Sequence, residues 1–281
     1  MTDLIYYVNG EYVSANYAVL GLNDLGLIRG YGVFDLLRTY AGKPFKLHEH
    51  VLRLQRSAAA IGLDLPWTTD ELAQIALATY RRNNLADATI RIVVTGGAAD
   101  DFITPAPCPT LVVMINPIGP SAPELYTQGV KLITSQVERM MPTVKSLNYI
   151  SAIMALQAAR RAGAVEALYR MADDRITEGT RANFFVFQGN RLITPQAEVL
   201  GGITRAVVLE IAGDDFDVVE APLFYTDLAT YDEAFITSST KELLPVVQID
   251  DITIGQGEPG PHTRKLMALF RTYVNADAGP L

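Results

Sequence analysis

The sequence predicts a mixed α/β chain folded as two domains, and three observations predict it. Its 281 residues exceed one typical domain. Segments with strand alternation and segments with helical spacing are interleaved along the whole length. The stretch Asn116-Pro-Ile-Gly-Pro-Ser-Ala-Pro123 puts three prolines and a glycine into eight residues and divides the chain. The predicted boundaries are a small N-terminal α/β domain over 1–115, a linker over 116–128 and a larger C-terminal α/β domain over 129–281.

Residues 5–20 read as short strands about Asn9-Gly10, a strong hairpin turn. Val33–Tyr40 is a strand ending at Ala41-Gly-Lys-Pro44. Over 47–62, Leu47, Val51, Leu54, Ala58 and Ile61 form one helical stripe that Gly62 closes. A second helix over 70–84 starts with Thr68 and Glu71 at capping-box spacing. Ile90–Thr95 and Thr110–Ile115 are apolar enough for buried strands. Beyond the linker, strands are expected at 129–136, 166–172, 183–188, 217–221 and 233–238. Helices are expected at 148–162, 204–212 and 262–275, with the tail Ala276–Leu281 frayed.

Composition narrows the function. Acidic residues outnumber basic ones, 31 to 23, for a net charge of −8. That excess argues against nucleic-acid or anionic-membrane partners, which select a basic face. One cysteine, Cys108, leaves no internal disulfide or cysteine metal cluster, and three histidines leave little for a metal centre. The first residues carry no basic, apolar leader, and no run approaches the roughly 20 apolar residues of a membrane span. A cytoplasmic protein without metal is the expectation.

Five features bear chemistry. Only six residues are lysine, and Lys145 alone sits where an extended segment turns helical, with Ser146 and Asn148 as N-cap types after it. A partly desolvated lysine there is either an amine nucleophile or an ordinary capping-loop residue. Gly201-Gly-Ile-Thr-Arg205 opens an apolar helix, as an anion cradle or a plain turn, and Thr204 can cap that helix or bond a phosphate. Thr237-Ser-Ser-Thr240 ends a strand with hydroxyls that suit a phosphate or a polar turn. Arg53 lies off the apolar stripe of its helix and either clamps a phosphate or is solvated. Glu178, before a glycine and a buried strand, can bond a protonated ring nitrogen or simply occupy a hairpin. An amine, a phosphate cradle and an acid for a ring nitrogen together describe the needs of pyridoxal phosphate.

In this order the pieces resemble the fold type IV pyridoxal-phosphate enzymes, which include branched-chain aminotransferases, D-amino acid aminotransferases and aminodeoxychorismate lyases. The resemblance runs from Arg29-Gly-Tyr-Gly-Val-Phe-Asp35 and His50–Leu54 through Lys145-Ser-Leu-Asn-Tyr149, Ile176-Thr-Glu-Gly-Thr180 and Gly202-Ile-Thr-Arg205 to Ser238–Val246. It implies a homodimer with pyridoxal 5′-phosphate between the small and large domains. It implies Lys145 as Schiff-base lysine and proton shuttle, and Tyr149 on the cofactor's phenolic oxygen. Glu178 falls to the pyridine nitrogen, and Arg53, Ile203, Thr204, Ser239 and Thr240 to the phosphate.

Within the family, Tyr149 stands where the lyases usually carry arginine, which favours a transaminase. Thr89-Ile-Arg-Ile92 replaces the Tyr-Ile-Arg-Pro usual in branched-chain enzymes, and Thr95–Phe102 lacks the Arg-x-His pair of the best-known D-amino acid transaminases. An amino-acid substrate still requires a cation for its carboxylate. Arg29, contributed by the neighbouring subunit, and Arg181 are the candidates, unless both form structural ion pairs with acids such as Asp24 or Asp35. The leading expectation is a ping-pong transaminase for D-amino acids and 2-oxo acids. Branched-chain L-amino acid and primary-amine transaminases, a lyase and a non-enzymatic cofactor-binding protein are the alternatives.

Overall fold

The structure is a computed structural model that describes residues 3–119 and 121–277, with the backbone alone at Asp277. The chain divides into two compact units. One is built on the chain up to Gly119 together with the segment Val144–Asn148. The other comprises Pro120–Thr143 and Tyr149–Ala276. The sequence assigns 144–148 to a C-terminal domain, whereas that segment returns to the first unit. The cause is hydrogen bonding: Phe34 N donates to Lys145 O and Leu147 N to Gly32 O, both at 3.0 Å. Val33 and Ser146 form an antiparallel bridge, and Val144 is buried in the first unit's core. Such a return depends on pairing across more than a hundred residues, which local composition does not carry.

Among its described residues the first unit holds one antiparallel sheet and three helices. Its strands are β1 (Ile5–Val8), β2 (Glu11–Ser14), β3 (Gly32–Tyr40), β4 (Lys43–Pro44), β5 (Ala88–Thr95) and β6 (Thr110–Pro117), ordered β2-β1-β6-β5-β3-β4. Asn9 and Gly10 both take positive φ in the β1–β2 turn, as a tight hairpin requires. Along β5 every second residue (Ala88, Ile90, Ile92, Val94) is buried, which marks one face as core. The helices are α1 (Leu25–Arg29), α2 (Leu47–Ala60) and α3 (Thr69–Arg81). Val51, Leu54 and Ala58 of α2 pack with Leu72, Ala76 and Tyr80 of α3 in the core that contains those β5 residues. The capping box at Thr68 and Glu71 forms as its spacing predicts.

The second unit holds α4 (Glu124–Thr127), β7 (Val130–Gln136), α5 (Ile150–Arg161), β8 (Glu166–Arg170), β9 (Arg175–Gly179), β10 (Asn183–Gln188), β11 (Arg191–Thr194), α6 (Ile203–Ala212), β12 (Asp217–Glu220) and β13 (Leu223–Phe224). A 3-10 turn over Tyr225–Thr230 follows, then β14 (Glu233–Ser238), β15 (Glu242–Ile249), β16 (Ile252–Thr253) and α7 (Pro261–Asp277). Its ten strands run β12-β11-β10-β14-β15-β7-β8-β9-β13, with β16 on β15. A further β9–β10 pairing, Glu178 opposite Asn183, returns that path upon itself. Tyr149 caps α5 and makes no side-chain capping bond, so neither Ser146 nor Asn148 has the capping place their residue types suggest. The helix α7 runs through Asp277, and the rest of the expected frayed tail lies outside the described residues. No helix among the described residues is long and apolar enough to cross a membrane.

Candidate active site

The first unit carries Lys145 and Arg53. Lys145 is half-buried, and its N–H donates to Ser57 Oγ at 3.2 Å. Its Nζ stands 4.7 Å from the ring centroid of Phe34, a cation–π distance. Arg53 corrects the sequence reading. It is buried rather than solvated, with Nε on Asp35 Oδ2 and Nη2 on Asp35 Oδ1, each at 2.8 Å. Asp35 Oδ1 also lies 2.6 Å from His50 Nδ1. Burial pushes the Asp35 carboxyl up, but Arg53 and His50 outweigh it and hold it well below the usual carboxylate range. Burial pushes the His50 imidazole down against the pull of Asp35, and the charges of Arg53 and Lys145 push the same way as burial. Lys145, His50, Arg53 and Asp35 thus form one electrostatic group.

The second unit gathers the other candidates on one row of strands. Glu178 on β9 is opposite Asn183 on β10, and Asn183 is opposite Thr237 on β14. Three donors converge on the Glu178 carboxylate: the Arg139 guanidinium, Asn183 Nδ2 at 3.3 Å and Leu200 N at 3.0 Å. That is the environment of an ionised acceptor. Asn183 Nδ2 also donates to Leu200 O at 2.8 Å, so one amide ties Glu178 to the loop entering α6. A Cβ on Gly202 would stand 2.0 Å from Asn183 Oδ1, whereas one on Gly201 would meet nothing within 4 Å. Gly202 caps α6 without a side-chain bond, so Thr204 is not the cap but a buried residue of the first turn, next to Ile203. Ser239 and Thr240 lie in the β14–β15 turn, which Lys241 N fastens to Ser238 Oγ at 3.2 Å.

Tyr149 is half-buried at the start of α5. It lies within electrostatic reach of Tyr169, whose phenol burial pushes up to about 12, with Arg139 opposing and Glu178, Tyr149 and Glu166 adding to the rise.

Among the described residues neither Arg29 nor Arg181 pairs with Asp24 or Asp35. Asp24 caps α1 through Gly26 N and accepts from Thr95 Oγ1. Arg29 is exposed and, among the described residues, donates to backbone carbonyls alone, Nε to Phe102 O at 3.0 Å and Nη1 to Ile28 O at 3.2 Å. Arg181 reaches Glu166 Oε2 at 3.3 Å, and Lys241 Nζ holds the same oxygen at 2.6 Å. Sequence reasoning missed Arg139, Asn183, Glu166 and the role of Lys241. The scarcity of lysine was the one available signal, and it marked Lys241 no more than four others.

A family profile for class IV aminotransferases matches residues 32–249, well over half of the chain. The chain belongs to the class IV aminotransferases. The enzyme is 39% identical, over 94% of each chain, to a Methanocaldococcus jannaschii protein whose name, branched-chain-amino-acid aminotransferase, is itself provisional. It is 32% identical to the D-alanine aminotransferase of Staphylococcus epidermidis, over 96% of this chain and 98% of that one. Its fold is similar to that of the branched-chain aminotransferase of Thermoproteus uzoniensis, solved with norvaline. That match has a TM-score of 0.89 at 30% identity and covers 97% of this chain and 95% of that one.

Proposed function

We propose that this class IV aminotransferase moves amino groups between D-amino acids and 2-oxo acids, as a homodimer. The family sets the cofactor, pyridoxal 5′-phosphate. The residues present fit it on three observations. The Glu178 carboxylate already accepts from three donors and suits a ring N–H as a further one. Space is open over Gly201, next to the Gly202 cap of α6, which brings no side chain to the helix start. The hydroxyl of Thr237 is buried without a partner at the strand end that leads to Ser239 and Thr240. Lys145 is the attachment point. Tyr149 bonds the phenolic oxygen, Glu178 the ring nitrogen, and Arg53, Ile203, Thr204, Ser239 and Thr240 surround the phosphate.

Bound there, the cofactor supplies an electron sink for the substrate's α-carbon and carries the amino group between two half-reactions. Released from its attachment by the incoming substrate amine, the free Lys145 Nζ would take the α-proton as general base and give it back within the same half-reaction. Glu178 keeps the ring nitrogen protonated. Two half-reactions in one site make the kinetics ping-pong.

The observation that carries the substrate reading is the charge count at the two arginines. Among the described residues Arg29 has no carboxylate partner, and Arg181 shares its only one with Lys241. Both guanidinium groups retain charge for an α-carboxylate, with Arg29 supplied by the neighbouring subunit. The relative at 39% identity favours a branched-chain L-amino acid enzyme. Against it, Thr89-Ile-Arg-Ile92 stands in place of the Tyr-Ile-Arg-Pro usual in that group.

Titration of cofactor-loaded protein decides between them by its visible absorption. Conversion by D-alanine or D-glutamate and not by L-leucine is expected, with Arg181→Ala raising the concentration required about tenfold or more. Conversion by L-leucine alone, or an unchanged requirement in Arg181→Ala, defeats the proposal.

A further inference from the structure

Glu166 opens β8 and is completely buried, yet no neighbour of its own strand pairing accounts for its charge. Its Oε2 accepts from Lys241 Nζ at 2.6 Å and from Arg181 Nη2 at 3.3 Å, while its Oε1 has no hydrogen-bond partner. A buried carboxylate is retained only where its partners repay the desolvation. Here two cations share one anion, so the cluster keeps one net positive charge. The backbone beneath it is fixed. Gly179 N donates to Ala182 O at 2.7 Å and Thr180 N to Ala167 O at 2.9 Å, closing the turn that carries Arg181. A Cβ on Gly179 would stand 3.3 Å from Glu166 Cγ, so the glycine leaves room for the stem of Glu166. Lys241 is held in turn by its own N–H on Ser238 Oγ and by Tyr126 Oη on its carbonyl. Burial pushes the Lys241 ammonium below its usual range, Glu166 opposes that, and the charge of Arg181 adds to it.

The Arg181 side chain is 46% exposed while its anchor is 0% exposed. The guanidinium is therefore tied by Nη2 to a buried anchor while the side chain stays partly open to solvent. An untethered arginine loses rotamer freedom when it binds a ligand, whereas a tethered one has lost it already.

We propose that Glu166 is the positioning residue of the substrate-carboxylate site, holding Arg181 in its receiving orientation beside Lys241. The proposal rests on the reading of Arg181 as a carboxylate ligand.

The test is the half-reaction of cofactor-loaded protein with D-alanine, which separates the half-saturating concentration from the limiting rate. Glu166→Gln keeps the shape and removes the charge. It is expected to raise the half-saturating concentration about tenfold with the limiting rate changed less than threefold. In the Glu166→Gln background, Arg181→Ala is expected to add less than a further threefold, because the two residues act as a unit. Glu166→Asp keeps the charge, shortens the reach and serves if the glutamine variant does not fold. Its expected effect is a three- to fivefold rise, and a wild-type value in it overturns the proposal. Independent, multiplying effects of Glu166→Gln and Arg181→Ala also overturn it while leaving the Arg181 reading intact. If Arg181→Ala alone changes nothing, it is the Arg181 reading that fails, and this proposal fails with it.

Discussion

Arg53 is a cation buried on a helix, and Asp35 on the adjacent strand makes that burial tolerable. The two side chains meet through two hydrogen bonds, with His50 on the same carboxylate. Removing the anion would take from a buried guanidinium the carboxylate on which it makes two hydrogen bonds. Asp35→Asn is therefore expected to cost about 3 kcal/mol or more of stability near neutral pH, measured by urea unfolding. The pH dependence has a definite direction. Because the folded carboxyl titrates below its unfolded value of 3.8, the unfolded chain binds more protons as pH falls past that value. The contribution of Asp35 is complete above about pH 4 and drains below it, and the asparagine variant lacks this loss. A variant as stable as wild type at pH 7 would show that the pair is incidental. At this scale the sequence was readable by residue type. Lys145 at its junction and Glu178 before its glycine could be singled out as candidates because each stands in a local pattern, and Arg53 because it lies off the apolar stripe of its helix. The carboxylate that holds Arg53 was not legible, since it lies 18 residues upstream on another element. Glu166 and Arg139 escaped for the same reason.

Elements were more legible than their ends. The α3 capping box and the β1–β2 hairpin were visible because both are local interactions, settled within four residues. The strands β9, β11 and β15 were not, since their pairing partners and not their own alternation define them. The loop into α6 shows how an element can serve the site. Gly201 and Gly202 are identical in sequence and opposite in setting, one facing open space and the other packed on the Asn183 amide. Gly202→Ala must displace Asn183, and with it one donor to Glu178 and the bond to Leu200 O. The expected result is a loss of about 1–3 kcal/mol in stability and a weaker hold on pyridoxal phosphate by tenfold or more, read by equilibrium dialysis. Gly201→Ala should change stability by less than about 0.5 kcal/mol. Equal stability losses in the two variants would contradict the contact that separates them.

The whole molecule raises the question of which chain supplies which cation. Arg29 ends α1, and shortly before it in the chain Val19, Leu22 and Leu27 are exposed by 78%, 84% and 57%. Large apolar side chains left exposed in the same stretch as an arginine that has no carboxylate partner among the described residues suit a face covered by a second copy. The proline-rich stretch falls where the continuous chain of the first unit ends at Gly119, but nothing in the sequence marks the return of 144–148 to that unit, and an assembly is less legible still. Complementation tests it directly. A dimer of one Arg29→Ala subunit and one Lys145→Ala subunit can be isolated through two different affinity tags. If Arg29 acts across the interface, one site in that dimer has both its lysine and its arginine, and the other has neither. The expected turnover is about half that of wild type per dimer, far above either parent variant. If Arg29 acts within its own subunit, neither site is complete and the mixed dimer is no better than its parents. A chain that sediments as a monomer at working concentration would defeat the dimer itself and return Arg29 to its own subunit.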